Sequence, residues 1–127
     1  MIAEMQSFTI PGRLDGLNAY VNACRQSPQV GAACKRNNQS RVIEAIKQAG
    51  LEPMKTPVVV EVTWFERDMR RDKDNVRSGI KYILDGLVKS GIIEDDGWRH
   101  ILTIKDIYLI DKDNPRVDVL LYNYDSK

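Results

Sequence analysis

The chain is poor in the residues that carry several common chemistries. It has two cysteines, Cys24 and Cys34, and one histidine, His100. A structural zinc site takes four ligands from cysteine and histidine, and two cysteines are too few and too poorly spaced for one. A Ser-His-Asp triad rests on a single candidate base, and a lone histidine beside a tryptophan reads as a packed or surface residue. Both thiols are expected to be free, as befits a reducing compartment. No apolar run approaches the roughly 18 residues that would suggest a membrane span. The opening "MIAEMQSFTIPG" lacks the charged start and apolar core of a secretory signal, so a cytoplasmic location is the expectation. Repeats, low-complexity stretches and long linkers are also lacking.

What remains is an ordinary globular composition, 43% apolar and 29% charged, over 127 residues. That length predicts one domain, residues 1–127, with one core. The formal net charge of +1 conceals an asymmetry. Residues 1–81 hold 13 basic against 9 acidic side chains, and residues 82–127 hold 6 against 9. A polyanion would be drawn to the first part.

The hydrophobic pattern predicts an α/β (α+β) domain, a mixed β-sheet with flanking helices in the order β-α-β-α-β-β. "SFTIPG" (Ser7–Gly12) reads as a short strand ending in a turn. Residues 13–35 mix Gly, Asn and Pro with scattered apolar positions and are taken as a loop with at most one helical turn. A helix is expected from about Ala32 to Ala49, stopped by Gly50. "TPVVVEVTWFE" (Thr56–Glu66) is the strongest strand, β-branched and aromatic, with Trp64 in the core. Val76, Ile80, Ile83, Leu84, Leu87 and Val88 trace one face of a helix running to about Ser90, capped by Asp74 or Asn75. Strands are expected at Leu102–Ile110 and Val117–Tyr124, with "DKDNP" as the turn of an antiparallel hairpin.

Between the second strand and that helix lies "RRDKDN", Arg70–Asn75. Asp72 and Asp74 stand two residues apart within a knot of positive charge. Such a pair is stable when solvated, when matched with arginine, or when holding a cation. Mg²⁺ takes hard oxygen ligands from one or a few carboxylates, and Asp95-Asp96 in "IIEDDGW" offers more of them. Each has a plainer explanation: Asp74 as a helix cap, Asp72 in a surface ion pair with Arg70 or Arg71, "EDDG" as a turn.

Taken together, "RRDKDN", the helix with "ILDGLVKSGII", and "EDDGW" resemble the RusA family of Holliday junction resolvases, small dimeric endonucleases found in bacterial genomes and prophages. "FTIPGRLDGLNAY" is similar to that family's opening strand and Asn-x-Tyr loop. The resemblance implies a RusA-like fold and a crossover junction endodeoxyribonuclease. Such an enzyme is a Mg²⁺-dependent hydrolase, with Mn²⁺ as a substitute ion, that cuts four-way DNA by paired symmetric nicks in recombination and repair. It implies metal carboxylates at Asp72, Asp74 and Asp96, with Asp95 in support, and products ending in 5′-phosphate and 3′-hydroxyl groups. The family also carries a lysine in the helix after D-x-D-N. Three residues past Asn75 this chain has Ser78, so Lys81, one turn later, is the candidate for that role, with Arg77 as its rival.

The basic residues nearest the carboxylates, Arg67, Arg70, Arg71, Lys73 and Arg77, would then meet phosphates. Trp98 either stacks on an unpaired base or, as the more common arrangement, anchors its loop to the core. A helix from Val76 to Ser90 would be about 22 Å long. The six residues to Asp96 reach back about 20 Å only when fully extended. The expectation is therefore a homodimer whose metal sites draw on both chains, or a helix shorter than its periodicity. The apolar face of Ile80, Ile83, Leu84 and Leu87 serves either as the dimer contact or as the cover of the subunit's own sheet. Two other functions fit the same residues: a catalytically inactive branched-DNA-binding accessory protein, and a metal-dependent nuclease acting on other branched DNA or RNA.

Overall fold

The computed structural model describes residues 4–123. Within them the chain forms β1 (Met5–Pro11), α1 (Leu17–Gln26), α2 (Pro28–Ala49), β2 (Val58–Glu66), α3 (Lys73–Arg77), α4 (Ile80–Lys89), β3 (Ile101–Ile110) and β4 (Arg116–Asn123). The four strands make one mixed sheet in the order β1-β4-β2-β3. β4 runs antiparallel to both β1 and β2, and β3 runs parallel to β2. The expected α/β class with a mixed sheet is what the chain adopts.

The helices pack on one face. Alternate strand residues Phe8 and Ile10, Val58, Val60, Val62 and Trp64, and Val117, Val119 and Leu121 join Val42, Ile46, Ile83 and Leu87 in one buried cluster. The strand period of two sends the intervening residues to the other face. There Thr9 Oγ1 donates to Asp118 Oδ1 at 2.8 Å and Lys105 Nζ to the Tyr122 hydroxyl at 3.1 Å. Among the described residues no helix is long and apolar enough to cross a membrane.

Three expectations need correcting, and one left open is decided. Residues 17–26 and 28–35 are helical, not a loop: Ser27 between them caps α2 by accepting from Val30 N–H at 3.1 Å, with Pro28 at the first helical position. "SPQ" is thus a helix start, and α1 and α2 form an antiparallel pair in close contact. A Cβ on Gly31 would lie 2.7 Å from Cys24 Sγ, so only glycine permits that approach. Both cysteines are free thiols.

The helix expected from Val76 is broken. α3 ends at Ser78, whose hydroxyl donates to Asn75 C=O at 2.7 Å, and α4 begins after Gly79, which is packed against Trp64 and Leu14. Periodicity survives the break because both pieces lay their apolar sides on the same core. The N-cap position of α3 belongs to Asp72, and no side chain caps it.

Of the two roles left open for the apolar face of α4, dimer contact or cover of the subunit's own sheet, the chain builds the second. Ile83 and Leu87 are completely buried within the single chain, and Tyr82 and Leu84 nearly so.

Finally, β3 and β4 are not a hairpin. β2 lies between them, and residues 111–115 cross its end, where Asp111 N–H donates to Glu66 C=O at 2.7 Å. A strand whose Val58, Val59, Val60 and Val62 are all buried belongs at the centre of a sheet and needs a neighbour on each side. Of the expected fourth strand, Tyr124 lies outside the described residues.

Candidate active site

The site is built at the end of β2. Its last residue, Glu66, is buried and is held by a two-pronged contact from Arg71: Nε to Oε1 at 2.9 Å and a terminal nitrogen to Oε2 at 2.7 Å. Arg13 reaches the same carboxylate at 3.5 Å, and Arg71 also donates to Leu14 C=O at 3.0 Å. These bonds close the segment 67–72 into a loop and tie it to the chain entering α1. Arg71, expected among the phosphate ligands, is instead the clamp of this loop, and its side chain is only 20% exposed.

At the tip of the loop Met69 is 87% exposed. Arg67 and Arg70 both lean on Asp68, each at 3.8 Å, and remain largely in solvent. Contacts that long and exposed contribute little, so both guanidinium groups are available to another anion.

An open groove of about 710 Å³ runs below the loop, lined among others by Asp68, Asp72, Lys73, Asp74, Tyr108 and Ile110. Asp72 and Asp74 therefore come together in one groove. The Asp72 side chain makes no hydrogen bond or ion pair among the described residues, and the Asp74 carboxylate accepts only from the neighbouring Asn75 N–H at 2.9 Å. The plainer readings of this pair, a capping carboxylate and an arginine-matched one, are not what the chain builds. Lys73 Nζ lies 5.6 Å from the centre of the Tyr108 ring. Burial raises the Tyr108 phenol above its ordinary pKa, and the carboxylates of Asp106 and Asp74 add to the effect.

Asn75 turns the other way. Its Oδ1 accepts from Asn18 N–H at 3.0 Å, capping the first turn of α1 from outside that helix. A Cβ on Gly16 would lie 2.5 Å from Asn75 Oδ1 and 2.9 Å from its carbonyl oxygen, so "DGLN" and "DN" are fitted to each other.

Asp96 occupies a second groove, with Arg77, Trp98 and Ile101–Ile104. The two grooves share no lining residue. The Asp96 carboxylate is 3.7 Å from Lys81 Nζ, which sits 3.2 Å from Asp85. These two acids, Asp85 foremost, raise the Lys81 ammonium above its ordinary pKa and keep it charged. Asp95 accepts from Asp96 N–H at 2.8 Å and so fixes the turn. Trp98 is fully exposed, which overturns its reading as a loop anchor.

Among the described residues of one chain, no three His, Cys, Asp or Glu side chains are grouped to hold a metal ion. Asp72 and Asp74 line one groove; Asp96 lines another.

Sequence reasoning missed Asp106. Its Oδ2 is 2.7 Å from Arg77 Nε, and its Oδ1 accepts from Trp64 Nε1 at 2.8 Å. In "TIKDIYLI" it shares its parity with Ile104 and Tyr108, which places a carboxylate on the inward face of a strand. Such a residue requires partners, and that anomaly is visible in the sequence. Arg77 is thereby tied to β3.

Comparison with known proteins finds no family profile and no curated protein that matches this chain.

Proposed function

We propose that the chain is a Mg²⁺-dependent endonuclease that resolves four-way DNA junctions by paired nicks, acting as a homodimer. The observation that carries this reading is the state of Asp72 and Asp74. Two carboxylates, two residues apart in sequence, line one groove without a cationic partner, although the segment before them holds three arginines. Arg71 reaches past them to Glu66, and Arg67 and Arg70 face solvent. Unmatched carboxylates repel one another, and a hard divalent cation relieves that repulsion.

The donor set fits Mg²⁺ in kind, and in one chain supplies two of its three expected carboxylates: Asp72 and Asp74 would hold the ion and Asp96 would complete the set. Bound there, Mg²⁺ supplies polarisation of a phosphoryl oxygen and acidification of a water. The chain's own residues do the rest. Arg67, Arg70 and Lys73 line the approach with positive charge and hold the backbone of the incoming strand. Arg71 positions the loop through Glu66. Lys81, held protonated by Asp85 and Asp96, offers fixed positive charge for the charge that grows in the transition state, and is unsuited to act as a base. The exposed indole of Trp98 presents a face on which an unpaired base at the junction centre stacks.

The test is a substrate panel. Purified protein is incubated with end-labelled four-way junction, nicked duplex, single strand, flap and structured RNA, each with Mg²⁺ or EDTA. Symmetric Mg²⁺-dependent nicks confined to the junction support the reading. Binding without nicking would make the chain an accessory protein, and cutting confined to flaps or RNA would assign it another substrate.

A further inference from the structure

The break between α3 and α4 borders a third concavity, on the helical side of the molecule. It is a cleft of about 340 Å³ lined by Leu17 and Tyr20 of α1, Lys35 of α2, Ser78 at the end of α3, and Lys81 and Tyr82 of α4. Ligand sites run from roughly 300 to 1,000 Å³, so this one takes a single ring system rather than a helix or a strand.

The lining has two characters. Leu17, 48% exposed, and the two tyrosines offer apolar surface, with Tyr82 buried. Polar groups are set into it. The Ser78 hydroxyl gives its proton to Asn75 C=O at 2.7 Å, which leaves its oxygen as an acceptor. Burial, with Cys34 alongside, raises the Tyr82 phenol far above its ordinary pKa, so it stays a donor at any working pH. Apolar surface beside a donor and an acceptor matches the face and the edge of a nucleobase. Lys35 makes no hydrogen bond or ion pair among the described residues, and Lys81 adds a second ammonium group. Two cations suit the phosphates that flank a base, whereas an apolar peptide side chain would gain nothing from them.

The cleft is tied to the carboxylates of the first groove. Ser78 N–H donates to Asp74 C=O at 3.2 Å, which puts Ser78 one helical turn past Asp74, about 6 Å along the axis. Asn75, between them, accepts from Asn18 N–H at 3.0 Å and so fixes the α1 wall to the same turn. The close fit of Gly16 against Asn75 holds that joint.

We propose that this cleft receives one unpaired base, that of a nucleotide adjoining the phosphate at Asp72 and Asp74, with its ring against Leu17 and Tyr20. The placement beside the cut rests on the nuclease reading above; the affinity for a base rests on the cleft alone. Drawing a base out of its stack costs least where pairing is already interrupted, as at the centre of a four-way junction. Hydrogen bonds to the edge of that base make cutting depend on which base is present. The cleft is thus a specificity site.

Two measurements test this. The first needs neither metal nor cleavage. The four deoxynucleoside 5′-monophosphates, and 2-deoxyribose 5-phosphate as a control without a base, are titrated in EDTA and followed by NMR. At least one monophosphate is expected to bind and to shift the ring signals of Tyr20 and Tyr82, and the control is not. Tyr20→Ala is expected to weaken that binding by about 5- to 100-fold. Leu17→Asp is a second variant that keeps the fold, because Leu17 opens α1 and an acid there favours the helix. Its carboxylate would repel the phosphate, and the same loss is expected with an unchanged circular dichroism spectrum. In the second measurement the cut is mapped, and junctions carrying each of the four bases at the adjoining nucleotide are compared by kcat/KM. The wild type is expected to favour one base by about tenfold, and both variants to level that preference. Binding of the control as tight as that of the monophosphates, or no binding of any, overturns the base site. An absent preference, or one that both variants leave intact, overturns its part in choosing the cut. A wild type that binds a monophosphate yet nicks no junction sinks the nuclease reading, and with it the placement beside the cut, while the base site stands.

Discussion

Replacing Arg71 with alanine tests whether the loop over the groove is held by a single clamp. Arg71 makes three hydrogen bonds, two to the Glu66 carboxylate and one to Leu14 C=O. Its side chain is 20% exposed and that of Glu66 is 9% exposed. Breaking a fully buried ion pair by removing one partner costs about 3–5 kcal/mol, because the remaining charge is left unmatched. Two features reduce that figure here. Arg71 retains some contact with water, and Arg13, 3.5 Å away, stays to share the Glu66 charge. The expected cost is about 2–3 kcal/mol, or a fall in Tm of about 8–12 °C for a domain of this size. Urea unfolding followed by circular dichroism gives the free energy directly. Glu66→Gln, which keeps an acceptor but not the charge, should cost about 1 kcal/mol, and the double variant should fall short of additivity by about 1–2 kcal/mol. An Arg71→Ala protein within about 0.5 kcal/mol of the parent would refute the clamp and return Arg71 to the phosphate-binding set.

Gly16→Ala should destabilise by about 1–3 kcal/mol, since the new methyl would overlap both the side chain and the carbonyl of Asn75; thermal melts of the variant check it. Trp98→Ala should leave Tm unchanged, because the ring is fully exposed, yet weaken junction binding by about 5- to 100-fold if it stacks on a base; gel-shift titration reads the difference. Asp111 is held below the ordinary carboxylate range of about 3.9, chiefly by its hydrogen bond with Arg116. A depressed carboxylate contributes stability that is present above its unfolded pKa and lost as pH falls through the folded one. Carboxyl NMR should show its midpoint below that range in the parent, returning to it in Arg116→Ala.

The class of the fold was legible because each strong pattern had one physical meaning. The valine-rich run Val58–Val62 had to be a strand, and Gly50 had to end a helix. What escaped were features decided by contacts remote in sequence. α1 has a mixed local composition, and it is stabilised by Asn75 at its N-terminus and by the close approach at Gly31. The break at Ser78-Gly79 follows from packing on Trp64, which periodicity does not report. The placement of β3 across β2 from β4 follows from β2 needing two neighbours. In the site, the pairing of Asp72 with Asp74 was legible from spacing. Which arginine stays free was not, because the answer depends on Glu66 being buried at a strand end beside Arg71.

The measurement that bears most directly on the whole account is cleavage of a labelled four-way junction by the Asp72→Asn protein in Mg²⁺. One side-chain oxygen becomes an amide, the groove keeps its shape, and a negative charge facing phosphate is removed. The account predicts binding at least as tight as the parent's and no nicks above the EDTA background. Nicking at the parent's rate would contradict it.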